Sequence, residues 1–347
     1  MKKRAPLLAC AHAVLLLTIL VSYPSDSSAQ ASITLVATGS SLPEPLYVLW
    51  AAEYHKQHPE IQLRYLPEGT GESASRILSG SGDFGGGDAP IPKEQLKDAS
   101  HPILELPTVL IGIAVVYNLP GVQAGLRFSG PVLANIYLGK TTSWNDPEIA
   151  KLNPDVKLPA LPIRVLHRSE GKGSSYIFSD FLSKVSPEFQ AKTGRSVSPK
   201  WVVGDSFGRT QDLLDNVQKT LGAIGYTELN WAEKSGLLVA RIRNAAGEFI
   251  KPSAKSIAEA ASALAGKMTD DFRVSLTNAP GKDSYPISSF TWLYVPAAAS
   301  DAQRGRAVSQ YLHWVFSSGQ EVAATQGYAT LPASLLAKVQ AKAATIH

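Results

Sequence analysis

Three times the chain leaves a short apolar run through a turn of glycine and small hydroxyl residues and enters a helical pattern. The turns are Gly39-Ser40-Ser41, Gly69-Thr70-Gly71 and Gly171-Lys172-Gly173-Ser174-Ser175. A strand that feeds a helix through a short turn, repeated along a chain, builds an open, mostly parallel sheet flanked by helices. The patterns on either side of the turns agree. Residues 33–37 (ITLVA) read as a buried strand, and Leu46, Trp50 and Tyr54 recur at helical spacing. Residues 62–66 alternate as a strand does, and Ala74, Ile77 and Leu78 share the inward face of the next helix. The passage 80–92 (GSGDFGGGDAPIP) is too rich in glycine for anything but a tight strand and loop.

Further along, residues 104–118 (LELPTVLIGIAVVYN) form a long β-branched stretch that predicts strand buried on both faces, or a crossing from one lobe to another. Strands are expected at 163–166, 222–226 and 291–295, and helices at 174–182, 303–316, 319–325 and 332–345. No period repeats and no charge run interrupts the pattern. The expected architecture is two α/β lobes with a cleft between them.

The compartment follows from the first 29 residues. Lys2, Lys3 and Arg4 precede an apolar run to about Val21, and Ser27-Ser28-Ala29 supplies a small-x-small cleavage site, the pattern of a secretory signal. Cleavage after Ala29 leaves 318 of the 347 residues, takes away the only cysteine, Cys10, and lowers the net charge from +4 to +2. An exported chain without disulfides is then held by its own core. Its near-neutral balance carries no electrostatic footprint for nucleic acid or for a membrane surface.

The turns themselves suggest chemistry. The first amides of a helix have no intrahelical acceptor, and the macrodipole adds partial positive charge there, so anions bind at such ends. Taken singly each turn is weak evidence, because serine and threonine before a helix are usually plain N-caps. Arg168 ends a strand just before the third turn; its position suits both a bidentate contact to two anion oxygens and a surface ion pair, with Glu170 as an acceptor for either. Asp88, in GGGDAP, is an acid among anion-binding turns, which makes sense for a ligand that carries a proton to donate. A turn-capping role before Pro90 accounts for it equally well.

Other patterns fail their context. Gly80-Ser81-Gly82-Asp83-Phe84-Gly85 matches a dinucleotide fingerprint but opens no helix. Ser169-Glu170-Gly171-Lys172 and Lys192-Thr193-Gly194 match two β-lactamase-type motifs at the wrong separation. The histidines, His55 and His58 included, lack companions for a metal site, and neither Ser41 nor Ser174 has a recognisable base for nucleophilic catalysis.

The segments GSSLPEPLYVLWAAEY, GTGESASRILSGSGDFGGGDAPI, LPTVLIGIAVVYNLPG, IYLGKTTSWNDPEIAKLNP, HRSEGKGSSYIF, LGAIGY and YATLP, in this order, resemble the periplasmic phosphate-binding proteins of high-affinity phosphate ABC transporters. The resemblance implies a two-lobed, type II solute-binding fold with mostly parallel central sheets flanked by helices. Residues 30–109 and 290–347 would form lobe I and residues 110–289 lobe II. One inorganic phosphate would lie between the lobes, bound without cofactor, metal or catalysis, and be handed to membrane permease subunits. It implies Ser41, the Leu42 amide, Thr70, Arg168, Gly173 and Ser174 as phosphate contacts, Asp88 as acceptor of the phosphate proton, and Glu170 as the brace of Arg168. Lys172 stands where the family has a serine, so its amide remains a candidate donor while its ammonium either meets the anion or turns to solvent. Nothing is implied for residues 204–209, which depart from the family pattern.

Overall fold

A computed structural model describes residues 32–122, 125–299 and 301–346, so the segment expected to be a secretory signal lies outside the described residues. Strands β1 (Ile33–Thr38), β2 (Ile61–Leu66), β3 (Phe84–Gly87), β4 (Ile103–Tyr117), β5 (Arg164–Arg168), β6 (Asp205–Phe207), β7 (Ala223–Glu228) and β8 (Ser288–Pro296) form one curled sheet in the order β2-β1-β3-β8-β4-β7-β5-β6. Leu238–Val239 adds a short strand beside β4, and Arg127–Phe128, Arg241–Arg243 and Phe249–Ile250 make a small separate sheet.

The outer pairs of the main sheet are parallel, as strand–turn–helix units require: β1 with β2 and β3, and β5 with β6 and β7. The centre is antiparallel, because β8 returns from the far end of the chain to lie between β3 and β4. Over its first ten residues β4 pairs with β8, from Ile103↔Pro296 to Gly112↔Ser288. Its last five then pair with β7, from Ile113↔Glu228 to Tyr117↔Ile224. The long apolar run is thus one strand that passes from one half of the sheet to the other, and burial on both faces explains its unbroken hydrophobicity. Helices cover both halves, giving the two-lobed α/β fold.

Helix α1 (Glu44–Gln57) packs Leu46, Tyr47, Trp50 and Tyr54 inward. The Trp50 indole also donates to the Gly319 carbonyl at 2.8 Å, fastening α1 to the C-terminal helices. Helix α2 (Thr70–Leu78) follows the second turn, and α3 (Gly173–Val185) follows the third, with residues 173–175 and 177–182 all buried. Two more helices, α4 (Thr210–Lys219) and α5 (Leu229–Ser235), leave the ends of β6 and β7. Every one of these turns lies at the carboxyl end of a parallel strand, where open α/β sheets place their ligands.

Candidate functional site

The turns after β1, β2 and β3 are laced together by their backbones. The Gly39 amide donates to Leu66 O (2.9 Å), the Gly69 amide to Gly39 O (2.8 Å) and the Ser40 amide to Gly86 O (3.1 Å). Tyrosines explain why this passage is made of glycine. A Cβ on Gly39 would lie 2.0 Å from the Tyr65 hydroxyl, and one on Gly87 would lie 1.9 Å from that of Tyr294. Tyr65 donates to Ser40 O at 2.7 Å, and Tyr294 to Ala89 O, so the two rings brace the backbone near Asp88.

Asp88 is fully buried. One carboxylate oxygen, Oδ2, accepts from the Ser40 hydroxyl, and the Asp88 amide donates to Thr70 Oγ1 at 3.1 Å. The other oxygen, Oδ1, has no partner. Burial pushes the carboxyl up to about 6, against the pull of the Ser40 hydroxyl. The third turn meets this group from the other half of the sheet. A Cβ on Gly173 would lie 2.2 Å from Asp88 Oδ2 and 2.6 Å from Thr70 Oγ1, so only glycine allows the approach. Beside it Ser174 buries a hydroxyl that also lacks a partner. Buried polar groups are nearly always hydrogen-bonded, and an orphan carboxylate oxygen and an orphan hydroxyl beside two helix starts describe a place for a small polar ligand. The ends of α2 and α3 add partial positive charge to it.

Sequence reasoning thus placed Thr70, Asp88, Gly173 and Ser174 in one locus, and the structure brings the first three into mutual contact. Other candidates lie elsewhere. The hydroxyl on Asp88 belongs to Ser40; Ser41 is half-buried, without a hydrogen bond to Asp88. The Leu42 amide donates to Ser40 Oγ at 3.1 Å instead of standing free. That short turn is the signal that singles out Ser40: a hydroxyl bonding the amide two residues on is fixed in direction by its own backbone.

Arg168 is buried, and burial lowers its guanidinium from the usual value. Nε donates to Phe207 O (3.2 Å), Nη1 to Thr210 Oγ1 (2.6 Å) and Nη2 to Gly208 O (2.7 Å). The expected brace, Glu170, is exposed and makes no ion pair with it among the described residues. Phe207 O, Gly208 O and Thr210 Oγ1 hold the guanidinium in place through three of its five N–H groups, so its position does not depend on an exposed carboxylate. Residues 207–210, to which sequence reasoning assigned no role, are therefore the support of Arg168.

Both polar ends of Lys172 have partners within the protein. As N-cap of α3 its backbone is extended, and its amide donates to Val197 O at 2.9 Å. Its ammonium, expected to meet the anion or solvent, donates to Glu68 O at 3.0 Å. Sequence reasoning also passed over Glu228, fully buried at the end of β7. Its carboxylate caps α5 by accepting from the Asn230 (3.0 Å) and Trp231 (3.4 Å) amides, and burial, with Asp88 adding to it, pushes it up to about 8. No cluster of three or more potential metal ligands occurs among the described residues.

Known proteins match the chain along most of its length. The model of the PBP superfamily domain fits residues 24–318. The phosphate-binding protein PstS of Pasteurella multocida is 36% identical over 332 residues, covering 95% of each chain. That of Methanocaldococcus jannaschii is 32% identical over 335 residues, covering 90% of this chain and 86% of its own. Among solved structures, a high-affinity periplasmic phosphate-binding protein, PfluDING, bound with phosphate, superposes with a TM-score of 0.70 at 18% identity, covering 89% of this chain and 93% of its own. A putative phosphate ABC transporter substrate-binding protein of Clostridium perfringens, with bound phosphate, gives 0.64 at 14% identity, covering 86% of this chain and 100% of its own. At such identities the solved structures speak for the fold.

Proposed function

The chain belongs to the PBP superfamily and, within it, to the PstS phosphate-binding proteins, and from that premise we propose that it is an exported receptor for inorganic phosphate. It captures the anion in the periplasm and delivers it to the membrane permease of an ABC transporter, without performing catalysis. The lobes of this reading are residues 30–109 with 290–347, and residues 110–289, joined where β4 passes from one half of the sheet to the other. Closure is a shift in population between open and closed forms, drawn by ligand contacts from both sides.

The observation that carries the reading is that Asp88 Oδ1 and the Ser174 hydroxyl are both buried without a partner, while Gly173, next to Ser174, packs against the Asp88 carboxylate. Phosphate near neutral pH retains a proton and can donate a hydrogen bond through it to a carboxylate; its remaining oxygens accept from the Ser174 hydroxyl and from amides at the start of α3. Sulfate has no such proton, so its entry leaves Asp88 unpaired and repelled. Sites built around one buried hydrogen bond reject a ligand that lacks it by about 10^4 to 10^5. Family membership and the donor set at the two helix starts support the same ligand. Arg168, whose guanidinium keeps N–H groups beyond its three bonds, is the cation of the site.

Titration calorimetry of phosphate and of sulfate against the parent and Asp88→Asn tests it. Strong preference for phosphate is expected of the parent, and a much smaller preference of Asp88→Asn, since an amide also donates. A parent that binds the two anions within tenfold of each other rejects the reading.

A further inference from the structure

Among the described residues Lys172 makes no ion pair with a carboxylate, and its position is electrostatically awkward. It caps the start of α3, where the macrodipole is already positive, and the Arg168 guanidinium is near enough to oppose its charge. An exposed lysine would relieve both repulsions by turning to water. Instead the side chain is half-buried, and Nζ donates to the Glu68 carbonyl, in the turn that precedes α2. That turn follows β2 at one edge of the main sheet, whereas Lys172 follows β5; between them run β1, β3, β8, β4 and β7. The contact therefore spans the cleft. A second bond runs beside it, from the Gly71 amide to the Gly171 carbonyl at 3.1 Å.

Resting on the phosphate-receptor reading, we propose that Lys172 is a positioning residue that latches the two turns across the cleft, and that the charge of the bound anion is what holds the latch closed. Without the anion, the ammonium, the guanidinium and two helix starts repel one another, so the ammonium leaves Glu68 and the turns part. With the anion between them, the same charges become attractive and the ammonium settles on the carbonyl. The latch adds nothing to encounter with the anion. It delays escape, and so sets the residence time of phosphate.

The test is rapid-mixing kinetics of inorganic phosphate with the full exported chain and its Lys172→Met variant, which keeps the stem and loses the charge. Release is expected to accelerate by about 10- to 150-fold, the worth of one hydrogen bond to a charged group, with the association rate within about twofold of the parent. Hydrogen exchange gives a readout that general destabilisation does not mimic: phosphate should protect the Gly71 amide in the parent and protect it much less in Lys172→Met. Parental release by the variant overturns the latch, as does a loss confined to association, which marks long-range attraction instead. A parent that fails to bind phosphate overturns both the receptor reading and the latch; a binding parent with an unaltered variant overturns the latch alone.

Discussion

Replacing Gly173 by alanine adds one methyl group at the point where the two halves of the sheet meet. That carbon would fall 2.2 Å from Asp88 Oδ2 and 2.6 Å from both Asp88 Cβ and Thr70 Oγ1, whereas side-chain carbons essentially never come within 3.0 Å of such atoms. The carboxylate cannot step aside, because the Ser40 hydroxyl holds it and the ring of Tyr294 braces the backbone one residue on. The turn at Gly173 must therefore retreat. Overpacking of this kind costs about 1–3 kcal/mol, which corresponds to roughly five- to 150-fold weaker binding of phosphate if the strain is borne by the closed form. The helix itself gains, since alanine favours helix over glycine by up to about 1 kcal/mol. Calorimetry should thus show weakened phosphate binding while the ligand-free protein melts at or slightly above the parental temperature. Affinity within twofold of the parent, with the full thermal shift on adding phosphate, would refute the argument, because it would mean that the turns never approach this closely when the ligand is bound.

Arg168→Ala should weaken phosphate binding and also lower the ligand-free stability by about 2 kcal/mol, since Phe207 O, Gly208 O and Thr210 Oγ1 lose their shared donor. A chemical denaturation curve that coincides with the parent's would restrict Arg168 to the ligand. Two buried acids each contribute a window of pH dependence: Asp88 rises from 3.8 to about 6 and Glu228 from 4.5 to about 8. Between each pair of values the folded chain binds more protons than the unfolded chain, so ligand-free stability falls as pH rises through each window and levels above it. Glu228→Gln keeps the cap on Asn230 and Trp231 and removes the charge, and should flatten the fall between about pH 6 and 8; a melting profile parallel to the parent's across that range would show that Glu228 is ionised throughout.

Much of this protein is local chemistry and is legible as such. Ile33–Thr38 and Thr70–Leu78 form a strand and a helix because their own spacing buries one face, and glycine with serine or threonine at each junction marks where a helix begins. That is also why Thr70, Asp88, Gly173 and Ser174 were recognisable: each sits in or next to a turn whose backbone geometry depends on a few neighbouring residues. The tertiary structure decided which of several nearby groups faces inward and what each one meets. Ser40 and not Ser41 reaches Asp88, Arg168 rests on Phe207–Thr210 and not on Glu170, and Lys172 crosses to Glu68. The antiparallel centre of the sheet belongs to the same class, since Ser288–Pro296 joins Ile103–Gly112 across more than 170 residues of chain. Partners so distant in sequence leave no periodicity behind. A hydrogen bond needs its acceptor within about 3 Å, and only the packing of the whole chain determines which carbonyl or carboxylate arrives at that distance first.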